Sequence, residues 1–185
     1  EGMITAANYA REHKIPYLGL CYGMQLAVIA FARNVIGWKD ATTTENDPNS
    51  PHQVIHLIPS QKELMERRAY GGTMRLGAWE AMVETDSQAY EIYKKYGGLL
   101  NEDGLTSERH RHRYEFNDEY TNEFEEKGLR ISARSVVEKL AEIIELPKDV
   151  HPFYMGTQGH PEYKSRPLAP HPLFIAFIEA CKDHS

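Results

Sequence analysis

The chain predicts an α/β domain, and three observations carry that expectation. Helix-like and strand-like stretches alternate from end to end, as they do where helices cover a sheet. A glycine-flanked cysteine stands where one strand-like run passes directly into a helix-like run. With 185 residues and 41% hydrophobic content, the chain can form one domain that buries roughly 70% of its unfolded surface. No internal repeat is present.

The elements follow in order. Ile4 to His13 carries helix formers with Ile4, Ala7 and Ala10 at helical spacing, and Pro16 closes it ahead of an apolar strand, Tyr17 to Leu20. Met24 to Arg33 is apolar all round, the pattern of a helix lying on a sheet, and Gly37 ends that region. Asn46 to Pro51 is a loop by composition, and Val54 to Ile58 reads as a strand. The glycines of Gly71-Gly72-Thr73-Met74-Arg75-Leu76-Gly77 suggest a turn leading into a second strand at Trp79 to Val83. Ser87 to Tyr96 suits a short helix, as does Asp118 to Lys127, which Gly128 caps before a strand at Arg130 to Arg134. Val136 to Leu146 favours helix by propensity, yet its apolar run before Pro147 equally suits a strand, the reading preferred here. Phe153 to Gln158 is a compact strand, and Pro172 to Lys182 an amphipathic terminal helix.

Composition narrows the function classes. No run approaches the ~18 apolar residues of a membrane span, and the N-terminus has neither a basic region nor a cleavable apolar segment. A cytoplasmic protein without a membrane partner is expected. The net charge of −6 argues against nucleic acid as a partner, although the basic run Arg109-His110-Arg111-His112-Arg113 needs its own explanation. Cys21 and Cys181 make no disulfide framework, and a staple between them is not expected.

Chemistry concentrates at two places. In Gly19-Leu20-Cys21-Tyr22-Gly23-Met24-Gln25 the flanking glycines permit a sharp strand-to-helix turn that pushes the thiol into the open, where the helix N-terminus is expected to lower its pKa. The alternative is a buried structural cysteine in a Gly-rich turn. In Gln158-Gly159-His160-Pro161-Glu162, Pro161 biases His160 to extended backbone, so that Glu162 projects to the same side and reaches one imidazole nitrogen. A carboxylate there fixes the tautomer and leaves the other nitrogen to move protons, the logic of a Cys-His-Glu triad. A turn histidine beside an unrelated glutamate is the alternative. Zinc at His110 and His112 is disfavoured, since no cysteine or second histidine pair stands at ligand spacing.

These residues resemble the class I (triad) glutamine amidotransferases, and within them the glutaminase domains of CTP synthases. The elbow around Cys21 and the run His160-Pro161-Glu162 carry the superfamily resemblance. The narrower one rests on Gly71 to Gly77, on Glu108-Arg109-His110-Arg111-His112-Arg113-Tyr114-Glu115-Phe116-Asn117, and on His171-Pro172-Leu173-Phe174. It runs nearly end to end. The resemblance implies a three-layer α/β fold with a mostly parallel central sheet flanked by helices. It makes Cys21 the nucleophile, His160 the general base and acid, and Glu162 the residue that orients it. L-glutamine binding carries over to Tyr22, Gly23, Met24 and Gln25, to Glu45 for the α-amino group, and to Arg113 for the α-carboxylate. The Tyr22 backbone N–H becomes an oxyanion donor.

The implied reaction is hydrolysis of L-glutamine through a γ-glutamyl thioester, with ammonia feeding amination of UTP to CTP. No cofactor or metal is implied for the glutaminase domain itself; ATP and Mg belong to the full-length enzyme, which the resemblance makes a homotetramer. Glu1-Gly2-Met3 resembles the tail of the family's glycine-rich oxyanion loop. Residues 1–185 are therefore expected to be a glutaminase domain partial at its N-terminus, with the loop, the first strands and the synthase domain of the same polypeptide outside the sequence. Tyr22 and Gly159 depart from the family pattern, in which a smaller aliphatic and a bulkier residue stand at those positions. Another class I amidotransferase, a γ-glutamyl hydrolase and a catalytically silent regulatory module are the competing readings.

Overall fold

The computed structural model describes residues 1–57 and 74–184. Helix α1, Gly2–Glu12, buries Ile4, Ala7 and Ala10 at the spacing that predicted it. Strand β1, Tyr17–Leu20, runs into α2, Tyr22–Phe31, whose residues from Gly23 onward are all buried. A π turn, Ala32–Ile36, extends α2, and Gly37 closes it in the left-handed region at φ +98°. Two short strands follow, β2 at Thr42–Thr43 and β3 at Gln53–Leu57.

The long strand β4, Arg75–Val83, begins four residues before the expected Trp79, so Arg75 to Gly77 belong to strand and not to turn. The rest of the predicted glycine turn, Gly71 to Thr73, lies outside the described residues, as does Ile58. Helix α3, Gln88–Tyr96, starts at an N-cap where Ser87 Oγ accepts from the Tyr90 N–H. Strands β5, Leu105–His112, and β6, Tyr114–Phe116, come next. A 3₁₀ turn at Asp118–Tyr120 leads into α4, Thr121–Glu126. The ambiguous stretch resolves as a hairpin: β7, Arg130–Ser135, turns into β8, Ala141–Glu145. β9, Tyr154–Thr157, a 3₁₀ turn at Pro161–Tyr163 and helix α5, Pro172–His184, complete the chain.

Six strands form the main sheet in the order β1-β9-β8-β7-β4-β5, and β2-β3-β6 form a smaller one. Helices cover both faces of the main sheet, and adjacent residues of one strand serve opposite layers. Ile144 and Tyr154 face the core under α1 and α2, while Ile143 and Met155 face the core under α3 and α5. The α/β three-layer expectation holds, but the mostly parallel sheet does not hold among the described residues. Within the main sheet β1 and β9 pair in parallel, while β9-β8, β8-β7, β7-β4 and β4-β5 are antiparallel; in the smaller sheet β2 and β3 pair in parallel. The connections explain two of these pairings, β7 with β8 and β8 with β9. A parallel neighbour needs a crossover of a dozen or more residues, whereas β7, β8 and β9 are joined by short turns that only antiparallel strands permit.

Candidate active site

The site forms where β1 and β9 end side by side. Their parallel register sets Leu20 opposite Thr157, and the Cys21 N–H donates to the Thr157 carbonyl at 2.7 Å. One residue beyond β1, Cys21 adopts φ +47°, ψ −100°, a conformation open to glycine and strained for a side chain. Gly19 makes that turn sterically accessible: a Cβ on it would lie 2.7 Å from the Gly23 carbonyl carbon, which is backbone and unable to swing aside. The Tyr17 hydroxyl also donates to the Gly23 carbonyl, tying the first turn of α2 to β1. Gly19→Ala is therefore expected to destabilise the fold by about 1–3 kcal/mol, read from urea denaturation, because strand and helix must move apart. Wild-type stability in that variant would refute the account of the elbow.

Beyond β9 the chain carries Gln158 to His160. The His160 N–H donates to the Arg109 carbonyl at 2.7 Å, anchoring the segment to β5. His160 Nδ1 lies 2.6 Å from Glu162 Oε1, as the spacing predicted. With the Nδ1 proton donated to the carboxylate, His160 Nε2 is buried and makes no hydrogen bond among the described residues. The field of Glu162 reaches the Cys21 thiol, which places the thiol and the His160–Glu162 pair in one locale. Gly159 is required by close packing, since a Cβ there would stand 2.9 Å from Glu108 Cβ. A bulkier side chain before His160 has no room beside Glu108.

The thiol itself corrects one expectation. Burial pushes the Cys21 pKa up, and the Glu162 charge adds to that; hydrogen bonds from the Tyr22 N–H and the Gln158 amide pull it down without overcoming burial. The helix N-terminus thus moderates the rise and does not produce a net lowering.

The predicted glutamine-binding residues divide. Tyr22 stands half exposed at the mouth of the elbow, while Gly23, Met24 and Gln25 are buried. Met24 packs into the core, and the Gln25 amide nitrogen is held by the Tyr114 carbonyl at 2.7 Å and by Gln158 Oε1 at 3.1 Å. Glu45 is exposed on the turn after β2, and Arg113 is half buried between β5 and β6. Burial raises the Tyr114 phenol pKa; the Glu45 charge adds to that rise and the Arg113 charge opposes it, so the two charged groups converge on Tyr114.

The basic run sorts by strand periodicity. On β5, Glu108, His110 and His112 point inward, while Arg109 and Arg111 point outward. Behind the site these inward groups join a buried charged cluster. Arg75 Nη1 donates to Glu142 Oε1 at 2.5 Å, and His110 Nε2 lies 3.2 Å from Glu142 Oε2. His110 Nδ1 is 3.2 Å from His112 Nε2, and His112 Nδ1 is 3.0 Å from the Tyr114 carbonyl. A carbonyl only accepts, so His112 carries its proton on Nδ1, His110 donates from its own Nδ1, and the His110 Nε2 left over accepts from a protonated Glu142. The electrostatics agree. Burial pushes Glu142 up to about 7 against the pull of Arg75, and burial with Arg75 pushes His110 down to about 2. Sequence reasoning assigned nothing to Gln158, Arg75 or Glu142. The position of Gln158 directly before the histidine motif and that of Arg75 inside the Gly71 to Gly77 segment were the available signals, and Glu142 carried none.

Among the described residues, no group of three or more His, Cys, Asp or Glu is placed to hold a metal ion, and no helix is long and apolar enough to cross a membrane. No disulfide joins Cys21 to Cys181.

A family model described as glutamine amidotransferase class-I matches residues 1–180. CTP synthase of Caldanaerobacter subterraneus subsp. tengcongensis is 58% identical over 180 residues, 97% of this chain and 31% of that protein. CTP synthase of Sulfurisphaera tokodaii is 52% identical over the same shares. The chain thus spans just under a third of the length of these curated relatives. Among solved structures, the Trypanosoma brucei CTPS glutaminase domain with bound acivicin is similar with a TM-score of 0.86 and 36% identity, covering 98% of this chain and 66% of that one.

Proposed function

The chain belongs to the class I glutamine amidotransferase family, and from that premise we propose that it hydrolyses L-glutamine to glutamate and ammonia. One observation carries the reading: a cysteine held at a strained strand-to-helix elbow beside a histidine whose Nδ1 is taken by Glu162 and whose buried Nε2 makes no hydrogen bond among the described residues. In this proposal the Cys21 proton passes to His160 Nε2 and the sulfur attacks the glutamine carboxamide carbon. Negative charge moves from sulfur to oxygen. The Tyr22 N–H, which lies against the thiol at rest, follows that charge to the oxyanion. Collapse breaks the C–N bond as the His160 imidazolium gives its proton to the departing amide nitrogen, which leaves as ammonia, and a γ-glutamyl thioester remains. Water, deprotonated by His160, then adds to the thioester carbon and releases glutamate, and the thiol is restored. Glu162 stabilises the imidazolium in both halves. Glu45 and Arg113 offer an anion and a cation for the amino and carboxylate ends of a free amino acid, for which guanidinium is well suited.

The lengths of the relatives support a wider proposal. The ammonia feeds an ATP- and Mg-dependent amination of UTP to CTP by a synthase domain of the same polypeptide, with residues 1–185 as its glutaminase domain. ATP and Mg act in that domain, outside the residues described here.

The test has two arms. Glutamate release from L-glutamine is expected to exceed release from γ-glutamyl peptides, and acivicin, the compound bound in the trypanosomal domain, is expected to leave a mass adduct on Cys21. An unmodified Cys21 together with a preference for peptides would overturn the proposal.

A further inference from the structure

Gln158 is wholly buried, and its backbone N–H and both ends of its side-chain amide are engaged. Its backbone N–H donates to the Glu142 carbonyl at 2.8 Å, its Oε1 accepts from Gln25 Nε2 at 3.1 Å, and its Nε2 lies 3.4 Å from Cys21 Sγ. A glutamine side chain can present either oxygen or nitrogen to a neighbour, and the two choices have opposite effects on a thiol. An NH2 group favours the thiolate; a carbonyl oxygen favours the protonated form.

Here the choice is fixed from a distance. The Tyr114 carbonyl can only accept, so Gln25 must turn its NH2 group toward it. That same nitrogen faces Gln158, so Gln158 must answer with its oxygen. Its nitrogen is then left toward the sulfur. We propose that Gln158 is the side-chain thiolate-stabilising group of this site, and that Gln25 is the positioning residue which, locked by the Tyr114 carbonyl, forces the Gln158 amide to aim its N–H at Cys21. The assignment adds a role to Gln25 beyond substrate contact and gives Gln158 its first. Its consequence for turnover rests on the reading of Cys21 as nucleophile, while its effect on the thiol does not.

The geometry fits the electrostatic balance at Cys21, where the Gln158 amide is one of two hydrogen bonds opposing the burial that raises the thiol. The groups acting on the sulfur are the Tyr22 N–H from α2, the Gln158 amide beyond β9, and the charge of the Glu162 carboxylate on the 3₁₀ turn, which His160 just before that turn holds by Nδ1.

The experiment follows the pH dependence of Cys21 alkylation by iodoacetamide, which reports thiolate without requiring glutamine turnover. Gln158→Met removes the donor at similar volume. Gln25→Glu leaves Gln158 in place but replaces the amide that orients it with a protonated carboxyl, whose O–H donates to the Tyr114 carbonyl and whose oxygen accepts from Gln158, so that Gln158 turns its NH2 to that carboxyl and its own oxygen to the sulfur. Both variants are expected to raise the alkylation midpoint by about one pH unit, an about tenfold loss of thiolate at a pH below the midpoint. A third measurement needs no substitution. In wild-type protein with 15N-labelled glutamine side chains, the Gln158 NH2 resonance is expected to shift with the Cys21 titration. An unmoved midpoint in either folded variant, or a Gln158 resonance indifferent to that titration, would overturn the proposal. If glutamine hydrolysis is absent while the midpoints move as stated, the thiolate assignment stands and only the glutaminase reading falls.

Discussion

Cys21→Ala is expected to abolish glutamate release, lowering kcat by about 10⁴-fold or more, while thermal and urea unfolding stay near wild type. The two halves of that expectation have different origins. Alanine keeps the Cβ and hence the backbone strain at φ +47°, and it deletes only a half-buried sulfur that, among the described residues, takes its side-chain hydrogen bond from the Gln158 amide. The chemistry has no substitute, because the only other cysteine, Cys181, lies on α5 on the opposite layer from α2. Cys21→Gly sharpens the test. It loses the same activity yet removes the Cβ that makes the conformation costly, so it should be about 1–2 kcal/mol more stable than the alanine variant. A chain that kept its glutaminase rate without the thiol would sink the thioester mechanism. A glycine variant less stable than the alanine one would refute the claim that strain is held at the elbow to expose a side chain.

Much of this was legible in the sequence because the relevant signals are local. Ile4, Ala7 and Ala10 declare a helix face by spacing, and Gly19 and Gly23 declare a close strand-helix crossing around Cys21. Pro161 and the two-residue step to Glu162 place a carboxylate on His160 Nδ1. Strand β5 was missed for the converse reason. Its alternation is real, but the inward residues are Thr106, Glu108, His110 and His112, so no apolar period of two marks it. Strand direction was illegible as well, since it depends on which turns admit a crossover. The net rise of the Cys21 pKa was also beyond local reading. A helix N-terminus is visible in the sequence; the packing that desolvates the thiol is not.

The second large effect concerns the charge buried behind the site. Arg75 is 3% exposed, donates to Glu142, and stacks 4.6 Å from the Trp79 ring. Its field restrains Glu115 and Glu142, whose carboxyls burial raises to about 8 and about 7, and it adds to the burial that lowers His110 and His112, the latter to about 4. The signs set the pH dependence. For the two glutamates the folded state holds its protons above the ordinary 4.5, so their contribution to stability is full below pH 4.5 and is lost as pH rises through 7 to 8. For the two histidines the unfolded chain binds more protons, so their contribution is present above 6.5 and lost as pH falls toward 4 and below. Between 4.5 and 6.5 the pairs oppose each other, which predicts a plateau there and a decline from pH 6.5 to 8. Arg75→Met should deepen that decline. It removes the cation while Glu142 stays buried, with an expected loss of about 3–5 kcal/mol at pH 8 and a smaller one at pH 6, where the protonated carboxyl needs no counter-charge. Glu142→Gln mimics the protonated carboxyl, its NH2 donating to His110 Nε2 and its oxygen accepting from Arg75; in the Arg75→Met background it should restore most of the loss at pH 8. Urea denaturation of the four proteins at pH 6 and 8 decides the matter: equal losses at the two pH values, or no rescue by the glutamine, would mean that the cluster does not hold its proton on Glu142.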